Sequence, residues 1–191
     1  GHVTGVQTCA LPICKDHQSV ARHPELADRS FVISSFGKTY HVTGWKVGYV
    51  AAPAQLTHEF RKVHQFNVFT VNTPMQYGLA KYLETAGHYL NLPKFYERKR
   101  DYLRAGLAKT KFHLLPTPGT YFQCVDYTQL GIPESQLNSA DFCQWLTKEI
   151  GVAAIPVSAF YGDPVESGVI RFCFAKKEET LAEASKRLSV L

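Results

Sequence analysis

The chain has 191 residues, of which 45% are hydrophobic and 19% charged, with a formal net charge of +5. This is a globular composition, long enough for one large or two small domains, and it excludes a disordered or low-complexity chain. Lysine and arginine are scattered; the densest run, Glu97-Arg98-Lys99-Arg100-Asp101, carries acids at both ends and reads as a solvated helix face, not a nucleic-acid surface.

The first fourteen residues, "GHVTGVQTCALPIC", lack an initiator methionine, a signal-peptide pattern and any clear helical or strand period. They are expected to be a foreign or artefactual start on a shortened coding sequence. Residues 30–34, "SFVIS", and 47–52, "VGYVAA", are short β-branched or apolar runs that predict strands. Pro53 opens a predicted helix to about Gln65, because proline is tolerated in a first helical turn. Asn72-Thr73-Pro74 predicts another start, with Asn or Thr as cap, for a helix from Met75 to about Thr85 that Gly87 should end.

A longer helix is predicted over 92–110, where Phe95, Tyr96, Tyr102, Leu103 and Leu107 form an approximate 3.6-residue stripe. The pattern then changes to strands at 113–116 and 121–125, separated by the turn "PTPGT". Residues 139–150 predict a helix capped by Asn138 or Ser139, 152–155 and 169–174 predict strands, and 178–188 a closing helix. The domains implied are a sheet-and-helix piece over 15–90 and a compact α+β domain over 91–191.

The five cysteines form no CxxC pair, and their odd number argues against a disulfide framework, which points to a reducing, cytoplasmic setting. None of the eight histidines has the i, i+4 partner of a helical zinc site, so no metal is expected. No apolar run approaches the ~20 residues of a membrane-spanning helix.

The chemistry concentrates in "SSFGKTYHVTGWKVGYV", residues 34–50. A lysine amine attacks carbonyls in its neutral form, which apolar or cationic surroundings favour. Lys38 follows a strand and a glycine, where a side chain reaches into the cleft at a strand end. Ser35 lies three residues before it and Lys46 eight after, and with exposed backbone N–H groups they form a candidate anion cradle. A phosphorylated aldehyde would use both parts. An ordinary exposed lysine in a polar loop is the alternative reading of the same residues.

"SSFGKTYHVTGWKVGY" resembles the Schiff-base lysine segment of the class I/II aminotransferases of fold type I, and most of all the methionine aminotransferase and kynurenine aminotransferase group. Further likeness lies at "HPELADRSFVISSFGK", "VNTPMQ", "GTYF", "FCQWL", "GVAAIP" and "IRFCFAKKEETL". Because such proteins are about twice as long, the resemblance implies an α/β fold consisting of an incomplete large-domain sheet plus the small C-terminal α+β domain. It implies pyridoxal 5′-phosphate as cofactor, amino-acid and 2-oxo-acid substrates, and a homodimer without nucleic acid or membrane partners.

Residue by residue, the resemblance makes Lys38 the covalent cofactor anchor and Ser35 a cofactor-phosphate ligand. It makes Lys46 a second phosphate ligand where many relatives have Arg, a fork exchanged for a point charge. Arg171, in "VIRFCFA", becomes the clamp on the substrate carboxylate, for which paired guanidinium N–H donors are suited. Tyr121, in "GTYF", is a candidate for the substrate entrance, whereas Phe36, Trp45 and Tyr49 read as packing and His41 as a neutral loop residue. A cysteine-conjugate β-lyase using the same lysine, and a non-enzymatic α+β binding or dimerisation module, are the alternatives. The family's Asp, Tyr and Asn contacts to the cofactor ring lie upstream of the lysine; here only Asp16, Glu25 and Asp28 precede it as carboxylates, and the first Tyr and Asn are Tyr40 and Asn67. The expectation is therefore that this chain alone is a poor transaminase.

Overall fold

The structure is a computed structural model that describes residues 16–163 and 165–191. The expectation of a foreign start over residues 1–14 lies outside the described residues. The chain divides into two units, Gly1–Leu92 and Pro93–Leu191.

In the first unit a short helix, α1 (Pro24–Ala27), precedes strand β1 (Val32–Ser35), the one-turn helix α2 (Phe36–Thr39) and strand β2 (Gly48–Ala51). The strands pair antiparallel, from Val32 opposite Ala51 to Ser35 opposite Gly48. Gly48 is required by that approach, since a Cβ there would lie 2.6 Å from the Ser34 carbonyl oxygen. Helix α3 (Ala54–Asn67) follows Pro53, and α4 (Thr73–Leu83) starts where Asn72 Oδ1 accepts from Met75 N at 3.3 Å. That bond satisfies one of the orphan donors of the first turn. Gly87, expected to end α4, instead opens a further short helix, α5 (Gly87–Leu90), because α4 has already stopped at Leu83.

Helix α6 (Leu92–Leu107) leads into the second unit and buries Tyr96, Arg100, Leu103 and Leu107, one stripe at helical spacing. Strands β3 (His113–Leu114) and β4 (Phe122–Asp126) follow, then α7 (Ser139–Trp145), which runs on as a π-helical turn, Leu146–Ile150. Strand β5 (Ile155–Pro156), strand β6 (Val169–Cys173) and helix α8 (Glu178–Leu188) complete the unit. The sheet order is β3-β4-β6-β5, antiparallel throughout.

The two faces of this sheet differ sharply. Gln123 pairs with Phe172 and Val125 with Ile170, and all four are buried. The alternate residues, Phe122, Cys124, Asp126, Val169, Arg171 and Cys173, share the other, half-buried face. Buried Gln123 is fully satisfied: it accepts from Thr117 Oγ1 at 2.9 Å and Arg104 Nη1 at 2.6 Å, and donates to the Leu115 and Cys124 carbonyls. The strand expected over 152–155 shrinks to Ile155–Pro156. Gly151, at φ 73°, turns the chain out of the helix, and Val152 N still bonds back to the Leu146 carbonyl at 3.2 Å.

Candidate active site

Ser35 ends β1 and caps α2. Its Oγ accepts from Gly37 N at 3.0 Å, while Phe36 N bonds the Val47 carbonyl at 3.1 Å. The Gly37 carbonyl accepts from Val42 N at 2.9 Å and Thr43 Oγ1 at 3.1 Å, closing the loop between α2 and β2. Gly37 is buried under that loop: an added Cβ would sit 3.1 Å from Thr43 Cα and 3.2 Å from Ser35 Oγ. The sequence places Lys38 just past a strand end; the structure puts it on the last turn of α2, with an exposed side chain. The same hydrogen bonds bring Lys46 back beside the start of α2, one residue before Val47.

The loop carries backbone strain. His41 (φ 56°) and Lys46 (φ 54°, ψ 39°) both occupy the left-handed region, which side chains with a Cβ rarely adopt. Among the described residues neither Lys38 nor Lys46 forms an ion pair. Two lysines and a serine thus lie on one short stretch of chain, and among the described residues no carboxylate is paired to either ammonium. Phe36, Tyr40 and Tyr49 support the loop, with ring centroids 5.6 Å (Phe36–Tyr40) and 5.4 Å (Phe36–Tyr49) apart. Burial, then the neighbouring Tyr89, Tyr49 and Tyr82, raises the Tyr40 pKa, so it remains a neutral phenol. A cleft of about 470 Å³ in this unit is lined by Ile33, Tyr49, Phe60, Arg61 and His64, and none of Ser35, Lys38 or Lys46 lines it.

Arg171 belongs to the second unit. It sits on β6 opposite Cys124 and Ile155, and its Cζ lies 3.8 Å from the Phe122 ring centroid and 4.7 Å from that of Phe160. Its Nε is buried and has no hydrogen-bond partner among the described residues. The contrast with its neighbours is informative. Arg100 reaches Asp101 at 2.7 Å and the Thr117 carbonyl at 3.0 Å, Arg104 reaches Leu115 and Gln123, and Arg187 reaches Glu183 at 2.8 Å. Arg171 alone of these four has aromatic faces where the others have acceptors, which suits a guanidinium whose partner is an external anion. Burial raises the pKa of the adjacent Cys124 thiol, and the Arg171 charge partly offsets this.

Tyr121, a candidate for the substrate entrance, is 6% exposed and packs edge-on against Tyr96 at 4.7 Å. Phe160 escapes the sequence reading, because an aromatic residue on a 3-10 turn, Val157–Phe160, carries no periodic signal. Phe122 was recoverable: strand alternation puts it on the face that holds Cys124, diagonal to Arg171. Among the described residues no group of three or more His, Cys, Asp or Glu gathers as a metal site.

Residues 3–188 match the family described as aminotransferase class I and II, and the chain belongs to that family. It is 53% identical over 176 residues to methionine aminotransferase of Escherichia coli (strain K12), which covers 92% of this chain and 45% of that protein. It is 37% identical to kynurenine–oxoglutarate transaminase 3 of Rattus norvegicus, covering 89% of this chain and 41% of that one. The solved E. coli structure with a methionine aminotransferase function superposes with a TM-score of 0.85 over 92% of this chain and 46% of its own. N-succinyldiaminopimelate aminotransferase of Mycobacterium tuberculosis, 38% identical, gives 0.75 over 86% and 42%. The fold is thus part of the fold type I aminotransferase fold, and the chain spans a little under half the length of the curated relatives it matches.

Proposed function

We propose that this chain carries the anchoring lysine and the carboxylate-binding arginine of a pyridoxal 5′-phosphate-dependent aminotransferase. Its proposed substrates are methionine, aromatic amino acids or kynurenine, with a 2-oxo acid as amino acceptor. The proposed working form is a homodimer in the cytoplasm; among the described residues no helix is long and apolar enough to cross a membrane. The observation that carries this reading is the α2 loop, where an exposed Lys38 stands one helical turn from Ser35, with Lys46 returned to the same loop and, among the described residues, no carboxylate paired to either cation.

The residues fit the cofactor. When bound, pyridoxal phosphate supplies an aldehyde that links covalently to amines and an electron sink for the substrate α-carbon. Lys38 would be the residue that holds the cofactor covalently through its amine, and its Nζ, as a neutral amine, would serve as the base that takes the proton from the substrate Cα. Ser35 Oγ and Lys46 Nζ would hold the phosphate, the hydroxyl by a hydrogen bond and the ammonium as a point charge. Arg171 receives the α-carboxylate through its N–H donors, so the amino acid and the 2-oxo acid are held by the same group.

The test is borohydride reduction of the chain mixed with pyridoxal phosphate, followed by peptide mapping. A stable adduct on the peptide containing Lys38 is expected. Adducts found mainly on other lysines count against the assignment.

A further inference from the structure

We propose that Phe160 is a positioning residue for Arg171, and that a latch of Ser139, Ser158 and Glu166 sets it in place. The inference rests on the reading of Arg171 as the carboxylate receptor. The chain leaves the sheet after β5, makes the 3-10 turn Val157–Phe160, and returns to β6 at Val169. This excursion is tied at both ends to one point, the first residue of α7. Ser139 is fully buried, and its Oγ lies 2.7 Å from Ser158 Oγ. Glu166 Oε2 accepts from Ser139 N at 2.8 Å and Ser139 Oγ at 3.0 Å, and its Oε1 accepts from Gly168 N at 3.0 Å.

Ser158 and Phe160 share one short turn, so fixing the Ser158 hydroxyl fixes where the Phe160 ring emerges. Among the described residues that ring is one of two within reach of the Arg171 guanidinium; the other, Phe122, is held by its strand. A carboxylate on a guanidinium is recognised by direction as well as by charge, and a long arginine side chain pays rotamer entropy to hold one direction. Aromatic faces supply that restraint without offering a competing acceptor, consistent with the absence of any hydrogen-bond partner at Nε among the described residues. Phe160 itself is 62% exposed, more than core packing alone demands of a large aromatic.

The experiment measures phenylglyoxal modification of Arg171 in the full chain, by peptide mass spectrometry, with exposed Arg98 as internal reference. Phe160→Leu and Glu166→Gln are each expected to speed modification of Arg171 severalfold relative to Arg98, and Phe160→Tyr, which keeps the ring, to restore the original rate. Unchanged Arg171 rates in both Phe160→Leu and Glu166→Gln overturn the proposal. If Phe160→Leu loosens the whole unit, Arg100 and Arg104 accelerate with Arg171. Ser158→Ala then decides: acceleration confined to Arg171 supports the latch, and none overturns it. Protection by millimolar methionine reads the carboxylate role separately. Acceleration in the latch variants without protection in the original chain leaves the positioning intact and removes the receptor reading; protection without acceleration does the reverse.

Discussion

The two units divide stability and chemistry unequally. In the second, Leu107, Val125, Leu130, Phe142, Leu146, Ile170, Phe174 and Leu188 are fully buried around the inner face of a four-stranded sheet. Among the described residues of the first, Val47 and Leu79 are the buried large apolar side chains, while Ile33, Phe66, Phe69 and Tyr77 are 74%, 87%, 80% and 76% exposed. Yet the first unit carries the α2 loop, with two ammonium groups that form no ion pair among the described residues and two strained backbones. The well-packed unit presents Arg171, the proposed carboxylate receptor, on the half-buried face of its sheet; the thinly packed one presents Lys38, the proposed cofactor anchor. The described residues of the first unit thus leave large apolar side chains exposed, whereas the second unit buries a core of its own.

The sharpest way to break this contrast is a pair of phenylalanine truncations. Phe142 is fully buried and stacks on Tyr127 with centroids 4.1 Å apart. Phe142→Ala is expected to cost about 3–5 kcal/mol in urea unfolding. Phe66→Ala, at the exposed end of α3, is expected to stay within about 0.5 kcal/mol. Equal costs would mean that Phe66 is packed and the division drawn here is wrong.

Arg171→Lys comes next in size. It removes the fork but keeps the charge, so the fold and the cofactor link are expected to persist. Affinity for methionine and for 2-oxo acids, measured by calorimetry on the chain loaded with pyridoxal phosphate, is expected to fall by about 1.5–3 kcal/mol, roughly ten- to a hundredfold. Unchanged affinity for both would remove Arg171 from substrate binding.

Much of the fold was legible because its signals are local. Asn72 and Asn138 cap α4 and α7 through their side chains, as their positions ahead of helical stretches imply. The alternation of buried and half-buried residues in β4 and β6 follows directly from residue type. The misses are tertiary. Nothing in Phe36-Gly37-Lys38 suggests a helical turn, since glycine disfavours one; the Ser35 cap and the Val47 contact impose it. The run 152–155 is β-branched at both ends, yet only Ile155 and Pro156 reach a partner strand. The placing of Ser35, Lys38 and Lys46 on one loop follows from their spacing, whereas the approach of Phe160 to Arg171 involves a turn held by a hydrogen bond between two serines nineteen positions apart.

The latch itself should respond to acid. Burial opposes ionisation of Glu166, but hydrogen bonds from Ser139 N, Gly168 N, Ser139 Oγ and Ser167 N outweigh it and hold the carboxyl below its ordinary 4.5. Because the folded value is the lower one, the stabilisation is fully present above 4.5 and is lost as pH falls through the folded value. The titratable neighbours Tyr127 and Cys143 are pushed up to about 12 and about 11, first by burial and then, among nearby charges, by Glu166, so neither titrates in acid. Glu166→Gln, which exchanges charge-assisted hydrogen bonds for neutral ones, is expected to cost roughly 1 kcal/mol at neutral pH and to flatten the acid limb of the second unit's stability curve. An identical acid limb in the variant would place the acid sensitivity elsewhere.

The smallest effect bears on the first unit, where backbone strain and a proposed phosphate contact meet in one residue. Lys46 holds φ 54° and ψ 39°, a conformation that costs a residue with a Cβ about 1–2 kcal/mol and glycine almost nothing. Glycine also loosens the unfolded chain, which offsets about 0.4–1 kcal/mol of the gain. Lys46→Gly is therefore expected to raise stability by roughly 0.5–1 kcal/mol, the difference between those two terms, while Lys46→Ala, which keeps the Cβ, leaves it nearly unchanged. Both variants lose the ammonium, so both are expected to bind pyridoxal phosphate more weakly, and to the same degree, in a spectrophotometric titration. A loss of stability in Lys46→Gly would show that the left-handed backbone carries no strain. Undiminished cofactor affinity in both would show that Lys46 does not hold the phosphate. The expected combination, a more stable loop that binds less, means that the first unit carries this conformation at its own expense to keep a cation beside α2.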